Sequence, residues 1–153
     1  MTSTVDNKSK IDCSKVYVKK STFSNDDTGD FDGAFSVENI KEGTLIERGV
    51  VRRLPDGFDG NTCPYIFTWS EERPNKIWGM ASGCAPFYNT CKEGTSNTKM
   101  TRDFKNDTFE IHAARDIEKD EELLHTYISL GWRTCFKELN DIVYADEAEE
   151  KKN

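Results

Sequence analysis

Asn89 and Tyr127 are the side chains of this 153-residue chain whose types and surroundings most invite chemistry. Asn89 follows an aromatic pair in the stretch Ala85-Pro86-Phe87-Tyr88-Asn89-Thr90. Its amide both donates and accepts, so it can address an ammonium or a carboxylate without carrying charge. Taken alone, an asparagine there also reads as an ordinary turn residue. Tyr127 ends a strand-like run, and Trp132 follows five residues later. A phenol gives a polar contact with no full charge at neutral pH, since its reference pKa is about 10. An indole gives a flat face for stacking. Plainer roles exist for both: a tyrosine packing its ring on the core, and a tryptophan anchoring a C-terminal helix. No obvious base accompanies them. His112 reads as a solvent-facing strand residue and Cys91 as a small passive one.

Such groups need a frame, and the sequence offers mostly strands. Ile11 to Lys19 is a short β-like run, and Ala34 to Val37 is another. The turn Lys41-Glu42-Gly43 leads into a longer strand from Thr44 to Leu54. Tyr65, Phe67 and Trp69 alternate in a strand from Tyr65 to Trp69, and Ile77 to Met80 follows. Gly83 to Thr95 reads as loop with one helical turn. Thr98 to Phe104 and Thr108 to Ala114 form a hairpin through Lys105-Asn106-Asp107, with Phe109, Ile111 and Ala113 on one face. Glu122 to Tyr127 is the last strand. Beyond Gly131 the period changes: Phe136, Leu139, Ile142 and Val143 share a helical stripe, with Thr134 as its cap. The fold class is therefore mainly β with some α, without the regular alternation of a doubly wound sheet.

The length suits one domain that buries a core without metal or disulfide support. Residues 1–13 read as a flexible N-terminal tail, 14–133 as the domain, and 134–153 as a C-terminal helix with an acidic tail. A net charge of −7 disfavours direct nucleic-acid binding and favours a basic partner. The five cysteines contain no C-x-x-C pair and are odd in number, so neither a metal site nor a disulfide framework is indicated. No apolar N-terminal run marks a signal peptide or membrane span. The chain reads as intracellular, in nucleus or cytoplasm.

Several short motifs, in order, carry a family resemblance. Gly33-Ala34-Phe35 fits the second half of a Gly-x-Gly-hydrophobic-aromatic turn, with Phe31 where the first glycine stands. Lys41-Glu42-Gly43 precedes a strand. Asn89 fits the asparagine of an Asn-His-Ser segment, with Thr90 for histidine and Cys91 for serine. Asn97 follows Ser96 where a Pro-Asn pair is usual. Asp116-Ile117 and Glu121-Glu122-Leu123 lead to Tyr127, with Asp120 for glycine before them and Ile128 for glycine after. In type, order and spacing from about Val16 to Trp132, this resembles the SET domain of protein-lysine methyltransferases, in its small single-domain form.

The resemblance implies a fold of several small curved sheets whose C-terminal segment passes under a preceding loop as a pseudoknot, bringing Asn89 to Tyr127. It implies S-adenosylmethionine as cofactor and methyl transfer to the ε-amine of a protein lysine, with a histone tail as the leading substrate. Tyr127 would be catalytic. Gly33, Ala34, Phe35, Asn89, Thr90 and Trp132 would hold the cofactor, Trp132 against its adenine. Tyr88, Tyr65, Phe67 and His125 would line the substrate lysine. A homodimer occurs in some small relatives. The rival expectation is a SET-like module that binds cofactor or a basic peptide without turnover, to which Thr90, Cys91 and Ile128 point.

Overall fold

A computed structural model describes residues 7–145. The first six residues and the acidic end beyond 145 lie outside the described residues. In chain order the strands are β1 (Val16–Lys20), β2 (Asp32–Ser36), β3 (Leu45–Arg53), β4 (Phe67–Thr68), β5 (Trp78–Ala81), β6 (Thr98–Asp103), β7 (Thr108–Ala113) and β8 (Glu122–Leu123). Helix α1 (Lys137–Val143) follows, and 3-10 turns occupy Gly60–Thr62, Ala85–Phe87 and Thr134–Phe136. The strands form two sheets, one ordered β1-β2-β8 and the other β4-β5-β3-β7-β6. Every paired neighbour is antiparallel.

Alternation in the sequence becomes one buried face. Phe109, Ile111 and Ala113 of β7 are buried while Glu110 faces outward. They meet Ile46 and Val51 of β3, with Trp69, Tyr88, Ile117 and Leu123 completing the core. Each large apolar side chain buried this way contributes about 1.5–3 kcal/mol. A register shift between Leu45 and Glu47 turns both Ile46 and Glu47 inward, so β3 carries a fully buried carboxylate. The hairpin β6–β7 closes through Asp107, whose φ is +53°. A short polar side chain tolerates that left-handed conformation. Asp107 Oδ1 also accepts from Trp69 Nε1 and Arg53 Nε, both at 2.9 Å.

Four elements differ from the sequence expectation. The strand expected over Tyr65 to Trp69 shrinks to Phe67–Thr68, because Tyr65 is 73 % exposed while Trp69 turns fully inward to Asp107. The strand expected over Glu122 to Tyr127 stops as a ladder at Leu123, where the Asn97 side chain takes over. The stripe of α1 buries none of its own residues, and Phe136 reaches the core from the 3-10 turn before it. Thr134 does not cap α1: its hydroxyl donates to the carbonyl of Asn61 at 2.8 Å, pinning two 3-10 turns together. Residue 12, expected in a loose tail, is docked, with Asp12 and Arg48 exchanging backbone hydrogen bonds of 2.9 and 3.1 Å. Among the described residues no helix is long and apolar enough to cross a membrane.

Candidate active site

The loop after the 3-10 turn Ala85–Phe87 and the segment after β8 are bound residue for residue. The His125 N–H donates to the carbonyl of Asn89 at 2.9 Å. The Tyr127 N–H donates to Thr90 Oγ1 at 3.2 Å, and the Tyr127 hydroxyl donates to the carbonyl of Tyr88 at 2.5 Å. Asn89 and Leu124 form a parallel bridge. Asn97, 1 % exposed, fixes the same segment from the other side. Its amide donates to the carbonyl of Glu122 at 2.8 Å and accepts the Leu124 N–H at 2.7 Å, while Thr98 Oγ1 donates to the carbonyl of Leu124 at 2.7 Å. Side chains thus replace the backbone ladder that β8 gives up. Buried amides satisfied in this way define one register and no other.

Asn89 itself is aimed by Glu122. Its Nδ2 donates to Glu122 Oε2 and to the carbonyl of Asp32, each at 3.1 Å. The Glu122 carboxylate also accepts from Ser21 Oγ, Thr22 Oγ1 and the Thr22 N–H. This commits the donor side of the Asn89 amide and leaves Oδ1 with no partner among the described residues. Gly33 is required by the same pair: a Cβ there would sit 2.5 Å from Glu122 Oε2 and 3.0 Å from Asn89 Nδ2. Nothing at Gly33 demands a positive φ; close approach alone excludes a side chain.

Tyr127 separates two hollows. On one side lies a cavity of ≈ 30 Å³ walled by Tyr65, Phe67, Pro86, His125, Phe136 and neighbours. On the other lies a cleft of ≈ 360 Å³ walled by Arg73, Cys91, Glu93, Leu130, Asn140 and Tyr144. Ile128, 60 % exposed, borders both. Phe136 packs on Tyr127 with ring centroids 5.3 Å apart, and His125 lies 6.1 Å away. Burial pushes the Tyr127 phenol well above its ordinary range, partly opposed by the nearby Arg133 charge. The hydroxyl therefore stays protonated and is a donor. Burial first, then the Arg102 charge, lower His125 to about 4, so its imidazole is neutral near pH 7.

The structure unites Tyr127, Asn89, Thr90 and Gly33, and sets Tyr65, Phe67 and His125 around the small cavity. It does not bring Tyr88 there as a side chain. The Tyr88 ring is 2 % exposed and its hydroxyl donates to buried Glu47 at 3.0 Å, leaving only its carbonyl at Tyr127. Ala34 and Phe35 are buried and can meet a ligand only through backbone; Phe35 stacks on Tyr17. Trp132 turns to Trp78, centroids 6.4 Å apart, and borders an open groove that adjoins the small cavity, with residues of 70–75 and 99–104. Gly131 and Tyr144 border the cleft instead.

Sequence reasoning met Glu122 and Asn97 only as motif positions, without a role at the site, and passed over Arg102, Arg133 and Tyr144. A signal existed for buried Glu47, which shares strand parity with Val51, but none for Arg133, which reaches the carbonyls of Gly60, Cys63 and Ile66 across about 70 residues. Among the described residues no cluster of three or more His, Cys, Asp or Glu could hold a metal.

Comparison with known proteins agrees with this architecture. The family model of the SET domain matches residues 32–128. A Plasmodium falciparum structure named as a histone methyltransferase superposes with a TM-score of 0.55 at 21 % identity, covering 74 % of this chain and 97 % of that one. A chain of the ctPRC2 complex, solved with trimethylated and lysine-to-methionine forms of histone H3, gives a TM-score of 0.54 at 22 % identity, covering 73 % of this chain and 14 % of the other. None of the curated proteins matches the sequence. The matched span runs from the strand that carries Gly33 through Asn89 to Tyr127 and Ile128, and the small sheets with one short C-terminal helix are the fold those motifs implied. The chain belongs to the SET-domain family.

Proposed function

We propose that the protein transfers a methyl group from S-adenosylmethionine to the ε-amine of a lysine in a basic protein, a histone tail being the leading substrate. The observation that supports this most is Tyr127 standing between two hollows, its hydroxyl fixed on the Tyr88 carbonyl beside Asn89. The cleft suits a zwitterion with a flat base. In its wall, Arg73 can face a carboxylate and Tyr144 offers a ring to the base where Trp132 does not; Asn89, whose amide is held by Glu122 and Asp32, lies outside that wall and would meet the cofactor from beside it. When bound there, the cofactor supplies an electrophilic methyl on a sulfonium. The Tyr65, Phe67 and Phe136 rings would sheathe the lysine stem and exclude water. The Tyr88 carbonyl and the Tyr127 oxygen would orient the amine, and holding it in line can remove several kcal/mol of barrier. Net charge −7 draws a basic segment toward the molecule.

Calorimetric titration with S-adenosylhomocysteine, followed by labelled-methyl transfer to mixed core histones, tests the reading. Binding followed by transfer supports it. Binding without transfer favours the rival, a module that recruits without turnover. Ile128 favours that rival: it places an apolar side chain at the rim of a cavity of only ≈ 30 Å³, where relatives commonly have glycine. No binding at all refutes both. Self-association is also proposed, on Ile142 of α1 being 52 % exposed, and sedimentation at two concentrations decides it.

A further inference from the structure

The small cavity at Tyr127 has two guanidiniums in its wall, Arg102 from β6 and Arg133 ahead of the last 3-10 turn, and no aspartate or glutamate. Arg133 is 3 % exposed. It donates to the carbonyls of Gly60, Cys63 and Ile66 at 2.8, 2.6 and 3.1 Å. Its Cζ lies 4.8 and 4.6 Å from the Trp78 and Phe136 ring centres, and its Nε has no partner. Arg102 donates through Nη1 to the carbonyl and hydroxyl of Thr68 at 3.1 and 3.3 Å. Among the described residues neither makes an ion pair with a carboxylate. Carbonyls and rings hold a guanidinium in place but do not cancel its charge, and a guanidinium does not give up its proton in a protein.

The remaining ionisable groups of the wall are Tyr65, Tyr127 and His125. The adjoining groove adds Glu71, Glu72, Arg73 and Lys99. Its two acids are solvent-exposed, and Glu72 lies 4.0 Å from Lys76, so they offset the inner charges weakly. His125 already registers the field: after burial, Arg102 is the second cause of its lowered pKa.

We propose that Arg102 and Arg133 make this cavity a filter for the uncharged amine, which admits a neutral lysine and rejects its ammonium. The proposal rests on the methyl-transfer reading and adds the protonation state that the chain itself selects. A lysine with a pKa of about 10.4 is neutral roughly once in 2,500 molecules at pH 7, and each unit of depression raises that share about tenfold. Two fixed cations in the wall of a narrow pocket depress an amine in just this sense. After transfer the nitrogen is cationic until it releases a proton to water, and the same field favours that release. An acidic exterior would thus gather a basic segment around an inner site that demands an uncharged nitrogen.

Arg102→Gln tests this in the full-length chain, because glutamine keeps a donor for Thr68 and loses only the charge. Arg133 is left alone because it ties three carbonyls. The chain has two histidines, so the His125 resonance can be assigned with a His125→Asn variant and its titration followed by NMR without any substrate. The filter predicts that Arg102→Gln raises the His125 midpoint by about one pH unit, and that Arg102→Lys leaves it near the wild-type value. It also predicts that the rising limb of kcat against pH, measured on saturating core histones with S-adenosylmethionine, moves up by about one unit. An unmoved His125 midpoint overturns the filter. A moved midpoint with an unchanged kcat profile overturns its role in choosing the amine. Absence of transfer by the wild type at every pH refutes the methyl-transfer reading instead, and the His125 shift then judges the cavity's field by itself. Should Arg102→Gln fail to fold, Arg102→Met carries the same two measurements.

Discussion

Tyr127→Phe removes one oxygen and keeps the ring against Phe136 and His125. The hydroxyl is lost at the point where it meets the Tyr88 carbonyl, so methyl transfer should fall by about 10²-fold, in the range seen when a single positioned donor is deleted. Stability should change by only about 1 kcal/mol, and S-adenosylhomocysteine should still bind. Paired kinetics and calorimetry check all three. Gly33→Ala acts differently. The added methyl displaces Glu122 Oε2 and Asn89 Nδ2, so the expected outcome is a loss of about 1–3 kcal/mol from overpacking, with weaker cofactor binding because Asn89 is re-aimed. Thermal unfolding and titration together distinguish this from loss of a turn glycine, which would lower stability alone. Asp120 shows the opposite accommodation. It stands where the resembled motif has glycine, adopts a φ of +66° and accepts the Tyr17 hydroxyl at 2.8 Å. That exchange explains how the motif survives without its glycine.

At the scale of elements, β7 has a clean period of two and one buried face, and it was legible from sequence. β3 and β6 also lie within one residue of their expected ends, although β3 breaks its alternation at Ile46 and Glu47. The pairing order was not legible, nor was the short reach of β8, since a segment held by a distant amide carries no periodic signal. Asn89, Thr90 and Tyr127 could be singled out because motif order survives in the chain. Tyr88 and Trp132 went to other partners because an aromatic beside a motif fits a core as readily as a pocket. Asn97 marks the limit of reading by motif: it was visible as a match, but its task of holding Glu122 and Leu124 appears only in three dimensions. Asn97→Ala leaves a buried carbonyl and N–H unpaired and should cost about 1–3 kcal/mol for each orphaned group. The loss should be local, so hydrogen exchange at Leu124 and His125 should accelerate before exchange in β7 does.

Across the whole molecule, pH dependence turns on Glu47. Burial raises its carboxyl to about 7, against the lowering effect of bonds from Tyr88 and the Cys84 N–H. The folded state then holds a proton that the unfolded chain releases near 4.5, so stability is full below that value and declines as pH rises toward 7, by on the order of 3 kcal/mol. Asp12, Asp103 and Asp116 are shifted downward by hydrogen bonds and neighbouring cations, and Asp107 and Glu121 are shifted the same way against the opposing effect of burial. Their contributions are present above the ordinary carboxylate range and are lost as pH falls below it, through the lowered folded-state values. Maximum stability is therefore expected near pH 5, and Glu47→Gln should flatten the decline between pH 5 and 7 in thermal melts.

The amide of Asn97 has a practical consequence for genetics. Because the Asn97 side chain holds both Glu122 and Leu124 just ahead of Tyr127, a substitution there would offer a conditional allele. Under the proposed function, cells grown cool would keep methyl transfer and warm cells would lose it while the protein persists.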